Sequence, residues 1–393
     1  MSTERFTVGV ALDGVGWHPS ARAEDPAAPG TLDYWSGSVA TLEQAGVDYV
    51  TIEDTFSGWS PDWRAEAAGA AGRLDAHTVA AFLAGRTERI GLIPTATTTL
   101  TEPYHLATRL QTLDFATRGR AGWQVRVSAG PEELRLTALG EGRRPALADG
   151  EIDETALVDL FDEAAAVIAT ARALWDSWED DAEIRDAATG RFLDGGKLHH
   201  VDAQTPWFSV AGPSIVPRSP SGQVLVAALA HATVPYRLAV RGADVVFVTP
   251  GPGNPLSGIL AEIRELERAE ERAAPPLRVV ADLLVAVGAD AADRYASLQH
   301  RAPVASDAEV VVGSAEQVAD RIAQLRDEGA DGVRLRPAEN AHDVTVLAHG
   351  LLPLLESRGV HGSGTADGLR GAFGLPRPPS RYARNDETLA GAR

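Results

Sequence analysis

The sequence predicts a closed parallel (β/α)8 barrel with an insertion before the fifth strand and an irregular C-terminal tail. Three observations carry that reading. Eight short apolar runs alternate with helix-like segments, as a parallel sheet with helical crossovers requires. Most runs are apolar along their whole length, the pattern of strands covered on both faces. Chemistry-bearing residues follow the first four runs: Asp13, Trp17 and His18, then Asp54, then Thr95, Thr97, Thr98 and Thr99, then Ser128. A barrel carries its reactive groups at those C-terminal strand ends. A doubly wound open sheet is the alternative.

The elements follow in order. Residues 6–12 form the first strand, and 34–45 an amphipathic helix closed by Gly46. The second strand is 47–53, followed by an irregular loop and a helix over 75–86. The third strand, 90–95, ends in the hydroxyl cluster. A helix starts near Pro103, with Leu106, Leu110, Leu113 and Phe115 mostly on one face and Arg118-Gly119-Arg120 as its basic last turn and stop. The fourth strand spans 121–127. A long helix over 155–178 leads to a Gly-, Pro- and Asp-rich insertion, 180–223, which exceeds an ordinary connection. Strands at 224–228, 245–248, 277–287 and 332–335 and helices at 235–241, 255–272 and 344–358 complete the barrel. Ser314 and Gln317 form a capping-box pattern for a further helix that Gly329 ends. The barrel domain is 1–360, and 361–393 is a Gly-, Pro- and Arg-rich C-terminal arm or tail.

Composition narrows the function. With 393 residues and 44% hydrophobic content the chain buries one large core or two ordinary ones. No run reaches the roughly 20 apolar residues of a membrane helix, and the N-terminus has no signal-peptide pattern, so the expected compartment is the cytoplasm. A net charge of -19 argues against nucleic acid or an anionic membrane as partner. The absence of cysteine excludes disulfides and thiolate chemistry. His199 and His200 are adjacent and point apart on an extended segment, so no metal site is expected there.

The run TATTTLTEPYHLATRLQTLDFATRGRAGWQV, with VDYVTIED before it and LWDSWEDDA, TGRFLDGGKLHHVD and GPSIVPRSPSGQ after it, resembles the bacterial luciferase-like flavin monooxygenases. More narrowly, it is similar to the branch of nitrilotriacetate, pristinamycin and dibenzothiophene-sulfone monooxygenases, over roughly residues 6 to 355. The resemblance implies a (β/α)8 barrel, reduced flavin mononucleotide supplied by a separate flavin reductase, and oxygen as co-substrate. It also implies a dimer, of two copies or with a related chain. Around the flavin ring the family pattern keeps His18-Pro19, Asp54 and Thr97, and Gln124 stands where asparagine is usual. Ser128 joins this ring-side set. At the phosphate end Phe161 replaces a tyrosine, Ala232 a serine and Pro235 a glycine, leaving His231 and Thr233 as compensating contacts. A deazaflavin or no cofactor at all are the alternatives.

Each candidate has a structural reading beside the functional one. Asp54 is either a flavin contact or a rim carboxylate satisfied by amides. His18 either touches substrate or bonds a loop carbonyl, and the threonines either meet a ligand or line a solvated loop. Two functional classes follow: a flavin-dependent monooxygenase acting on a small organic substrate, and a flavin-free relative that serves as a partner subunit or runs another reaction in the same cavity. In the first, His18, Asp54 and Gln124 are the candidate catalytic residues. Specificity is expected in the loops 57–74 and 129–154 and in the insertion.

Overall fold

Eight parallel strands close on themselves: β1 (Thr7–Leu12), β2 (Tyr49–Ile52), β3 (Gly91–Thr97), β4 (Gly122–Arg126), β5 (Leu225–Ala230), β6 (Val245–Val248), β7 (Arg278–Val287) and β8 (Gly332–Pro337). Each pairs with its neighbours in sequence, and β8 returns to β1 with Thr7 opposite Gly332. The expected closed barrel is therefore present and the open sheet is not. This computed structural model describes residues 5–21, 28–56, 73–130, 133, 147–148, 151–303, 305–362 and 367–383. Most of the two loops expected to set specificity, 57–74 and 129–154, lies outside the described residues.

Helices α1 (Leu32–Gln44), α2 (Ala76–Ala84), α3 (Pro103–Thr117), α4 (Glu154–Trp175), α5 (Thr233–Gly242), α6 (Leu256–Ala269), α7 (Ala291–Arg301) and α8 (Ala315–Asp327) cover the outside. Their starts are chemically specified: Thr31, Asp75, Glu102 and Asp153 accept first-turn amides, and Ser314 with Gln317 makes the expected capping box. Helix α5 begins two residues before the sequence expectation, which places Pro235 inside its first turn, where a missing N–H is tolerated. Between β5 and the end of the barrel two elements have no counterpart in the sequence reading, α7 and a strand Glu309–Gly313 that adds to β7 outside the barrel. Among its residues α7 buries only Ala291 and Leu298, too sparse an apolar stripe to stand out in the sequence.

The barrel interior is divided by height. In its lower half Tyr49, Ile93, Leu225, Ala227, Val245, Phe247 and Val280 form an apolar layer. Gly9 is required there, because a Cβ would lie 2.2 Å from the Tyr49 ring. The tail seals this end. Leu369, Phe373 and Leu375, on and just after the short helix Gly368–Ala372, join the same layer. Arg370 pairs with the buried Asp244, which also takes Arg172 and the Val226 amide. Burial alone would raise the Asp244 pKa, but the two guanidinium groups hold it well below the usual carboxylate range.

The insertion leaves α4 at that same lower end. Trp178 donates to the Ser214 carbonyl, and buried Arg218 pairs with buried Asp176. Two short ribbons, Glu183–Asp186 with Arg191–Leu193 and Ala203–Gln204 with Ser209–Val210, follow. The segment climbs the α3–α4 face, where Tyr104 donates to the Pro213 carbonyl and Trp207 to Asp159. The tail locks onto it through Arg377–Asp180 and a Tyr382 ring stacked 3.6 Å from His199.

Candidate active site

In the upper half the inward side chains become polar. Period two puts Thr51 and Glu53 at the end of β2, Thr95 and Thr97 on β3, Gln124 and Arg126 on β4, Asp282 on β7, and Arg334 and Arg336 on β8 into the lumen. Arg334, fully buried, bonds Asp282 through Nε at 2.8 Å and Nη2 at 2.5 Å. Its Nη1 reaches Thr51, Glu53 and the Gln124 carbonyl oxygen at 3.2, 3.2 and 2.5 Å. The Gln124 amide nitrogen donates to both Glu53 oxygens and to Thr95. Arg336 shares Asp282, bonds Asp307 at 2.7 Å and lies over the Trp17 ring. Burial would lower the Arg334 pKa, and Asp282 and Glu53 reverse this and raise it further. These charges are paired and hydrogen-bonded, the condition under which a barrel interior tolerates them.

Above this network a recess opens between the ends of β2, β3 and β4. Asp54, Phe56, Thr95, Thr97, Thr101, Arg126 and Ser128 line it, with Asp75, His77 and Arg109 from the start of α2 and from α3, and it encloses about 50 Å³. Thr97 Oγ1 and Ser128 Oγ are 2.9 Å apart, and the Ser128 amide donates to Thr99. Asp54 accepts the amides of Thr55 and Ala76 at 2.8 and 2.9 Å; burial nevertheless raises its pKa. Burial, with Arg109 nearby, lowers the His77 pKa to about 4, so that ring is neutral at pH 7. Arg126 donates to Thr55 and to buried Glu133, both at 3.3 Å. Across the mouth Asp13 pairs with Arg73 at 2.6 Å, and burial outweighs that pairing to raise its pKa to about 6.

The structure brings some candidate residues together and separates others. Thr97, Ser128 and Asp54 share the recess. Gln124 lies one layer lower with its amide occupied by the network. His18 is buried beside α7: its Nδ1 accepts the Ser20 amide, its ring meets Tyr295 edge-on, and burial and Arg301 lower its pKa. His231 and Thr233 sit exposed at the start of α5, and Thr233 donates to Glu262 at 2.7 Å. Glu53, Arg126, Asp282, Arg334 and Arg336 are additional lumen residues that the sequence reading did not single out. For Arg126, Arg334 and Arg336 the signal is the alternation in WQVRV and VRLRP, polar inward and apolar outward.

The flavin phosphate implied by the family resemblance does not fit the residues at α5. Ala232, at its N-cap, offers no hydroxyl, and Pro235, in its first turn, has no amide hydrogen. Phe161 presents a ring beside Val234 and Leu238, and the Thr233 hydroxyl is turned to the Glu262 carboxylate. A second cavity, about 420 Å³, lies at the opposite, N-terminal face beside Arg5, Asp48, Arg120 and Leu369, the face that serves stability in such barrels.

Comparison with known proteins agrees with this architecture. The chain is 27% identical to N-acetyl-S-(2-succino)cysteine monooxygenase of Bacillus subtilis (strain 168), over 97% of its own length and 99% of the relative's. It is 35% identical to nitrilotriacetate monooxygenase component A of Aminobacter aminovorans over 59% of this chain and 50% of that one. Among solved structures, a riboflavin lyase with modified FMN and substrate riboflavin superposes with a TM-score of 0.82 at 25% identity, covering 99% of both chains. The model of the luciferase-like monooxygenase family matches residues 14–306. A closed barrel with a polar site at its C-terminal mouth, matched by that model over most of its length, places the chain in the luciferase-like monooxygenase family of oxidoreductases.

Proposed function

We propose that the chain is a monooxygenase that takes reduced flavin from a separate reductase and uses oxygen to oxidise a small organic molecule at the C-terminal mouth of the barrel. The observation that carries this reading is the recess formed by Thr97, Ser128 and Asp54 at the ends of three adjacent strands, in a chain of a monooxygenase family. Hydroxyls and fixed dipoles at that edge suit the polar rim of a flavin ring. Because α5 offers the phosphate little, the flavin is a diffusing co-substrate gripped by its ring. Some relatives carry names that make them one component or one subunit of a larger enzyme. Such names fit a chain that works with partner proteins, here a reductase and a second copy or a related chain.

The missing hydroxyl at Ala232 and missing amide hydrogen at Pro235 favour a second reading, a flavin-free partner subunit. Oxygen uptake and product analysis with a generic flavin reductase and flavin mononucleotide, run with candidate substrates, decide between them. Substrate-dependent product supports the enzyme. Uptake no greater than the reductase background, with copurification of a related chain, supports the partner role.

A further inference from the structure

Helix α5 follows β5, the neighbour of β4, so its N-terminus opens at the C-terminal mouth of the barrel beside the recess. That end of a helix ordinarily favours an anion, through its dipole and its unused first-turn amides. Here the anion belongs to the chain. Glu262 reaches across from α6, and its Oε1 accepts the Thr233 hydroxyl, on the first residue of α5, at 2.7 Å. Burial raises the pKa of Tyr236 in the same turn and the Glu262 charge adds to it, which sets the carboxylate against that turn. The remaining amides are few: Pro235 has none, and the Tyr236 N–H is used by the Ala232 carbonyl, which leaves Thr233 and Val234. Both arginines of α5 are also committed, Arg237 to Glu270 and Arg241 to Glu270 and Asp162. A phosphate at this turn therefore meets a fixed carboxylate, with no arginine of the helix left to offset the repulsion.

We infer that Glu262 is a specificity residue, an internal anion seated where the helix would otherwise favour a phosphate, so that the mouth takes flavins by the ring and gains nothing from phosphorylation. The inference rests on the proposed binding of the flavin ring at the mouth, and it makes unphosphorylated riboflavin a ligand equal to flavin mononucleotide. Anaerobic titration of the full chain with the reduced form of each tests it, in wild type, Glu262→Gln and Glu262→Gln/Pro235→Ala. Removing the carboxylate should tighten the phosphorylated flavin at least about fivefold, and restoring the amide should tighten it further, since a repulsion is lost and a charge-assisted donor is gained. Riboflavin carries no charge at that end and should change by less than about twofold. Glu183→Gln, which removes the same charge from the insertion ribbon, should alter neither.

No selective gain for the phosphorylated flavin in either variant overturns the inference, and so does a wild-type preference for it of more than about threefold. If wild type binds neither flavin, the ring-held reading falls, and Glu262 is judged by thermal melting with and without inorganic phosphate. A phosphate-dependent rise in melting temperature in the double variant, absent from wild type, then supports its role. Equal behaviour of the two proteins overturns it.

Discussion

Thr97 and Gln124 face the same lumen from adjacent strands, yet their surroundings give them different work. Thr97 borders the recess and bonds only Ser128 through its side chain, whereas Gln124 joins Glu53, Thr95 and Arg334 below it. Thr97→Val should therefore cost about 1 kcal/mol of stability while lowering flavin-dependent turnover. Gln124→Ala leaves Arg334 and Glu53 each short of a buried partner and should cost about 2–4 kcal/mol. Thermal melting beside the oxygen-uptake assay separates the two. Sequence placed Thr97 just past the third strand and Gln124 within the fourth, because position in a barrel strand follows from chain order. Which layer each reaches depends on Asp282 and Arg334, contributed by strands more than 150 residues further on, and no local pattern announces that pairing.

The most informative element is the short helix Gly368–Ala372. Composition reads the stretch as an arm, since Gly, Pro and Arg dominate it. The spacing of Leu369 and Phe373 is nevertheless helical, and both side chains enter the lower barrel against Tyr49 and its neighbours. Phe373→Ala should lower stability by about 3–5 kcal/mol through the cavity it opens, and leave reduced-flavin binding at the mouth unchanged in the fraction that stays folded. Denaturant unfolding with a parallel titration checks both halves of that statement. The main strands and helices were legible because their apolar periods and caps are local. Helix α7 was hidden by its polar surface, and the plug by a composition that outweighed two well-placed apolar residues.

At the scale of the whole molecule the barrel is sealed below by its own tail, charged in the middle, and open above at a polar recess. Family membership was readable from long motifs. The altered phosphate end was equally visible in Phe161, Ala232 and Pro235, while the Thr233–Glu262 contact that completes it needed the fold. The proposed function turns on how the mouth grips reduced flavin, by its ring and not by its phosphate. Anaerobic titration of the chain with reduced flavin mononucleotide and with reduced riboflavin separates those two grips. Both should saturate, with affinities within about threefold, because the phosphate adds less than one charge-assisted hydrogen bond. Saturation by neither, or binding of the phosphorylated flavin alone, would rule out a ring-held flavin.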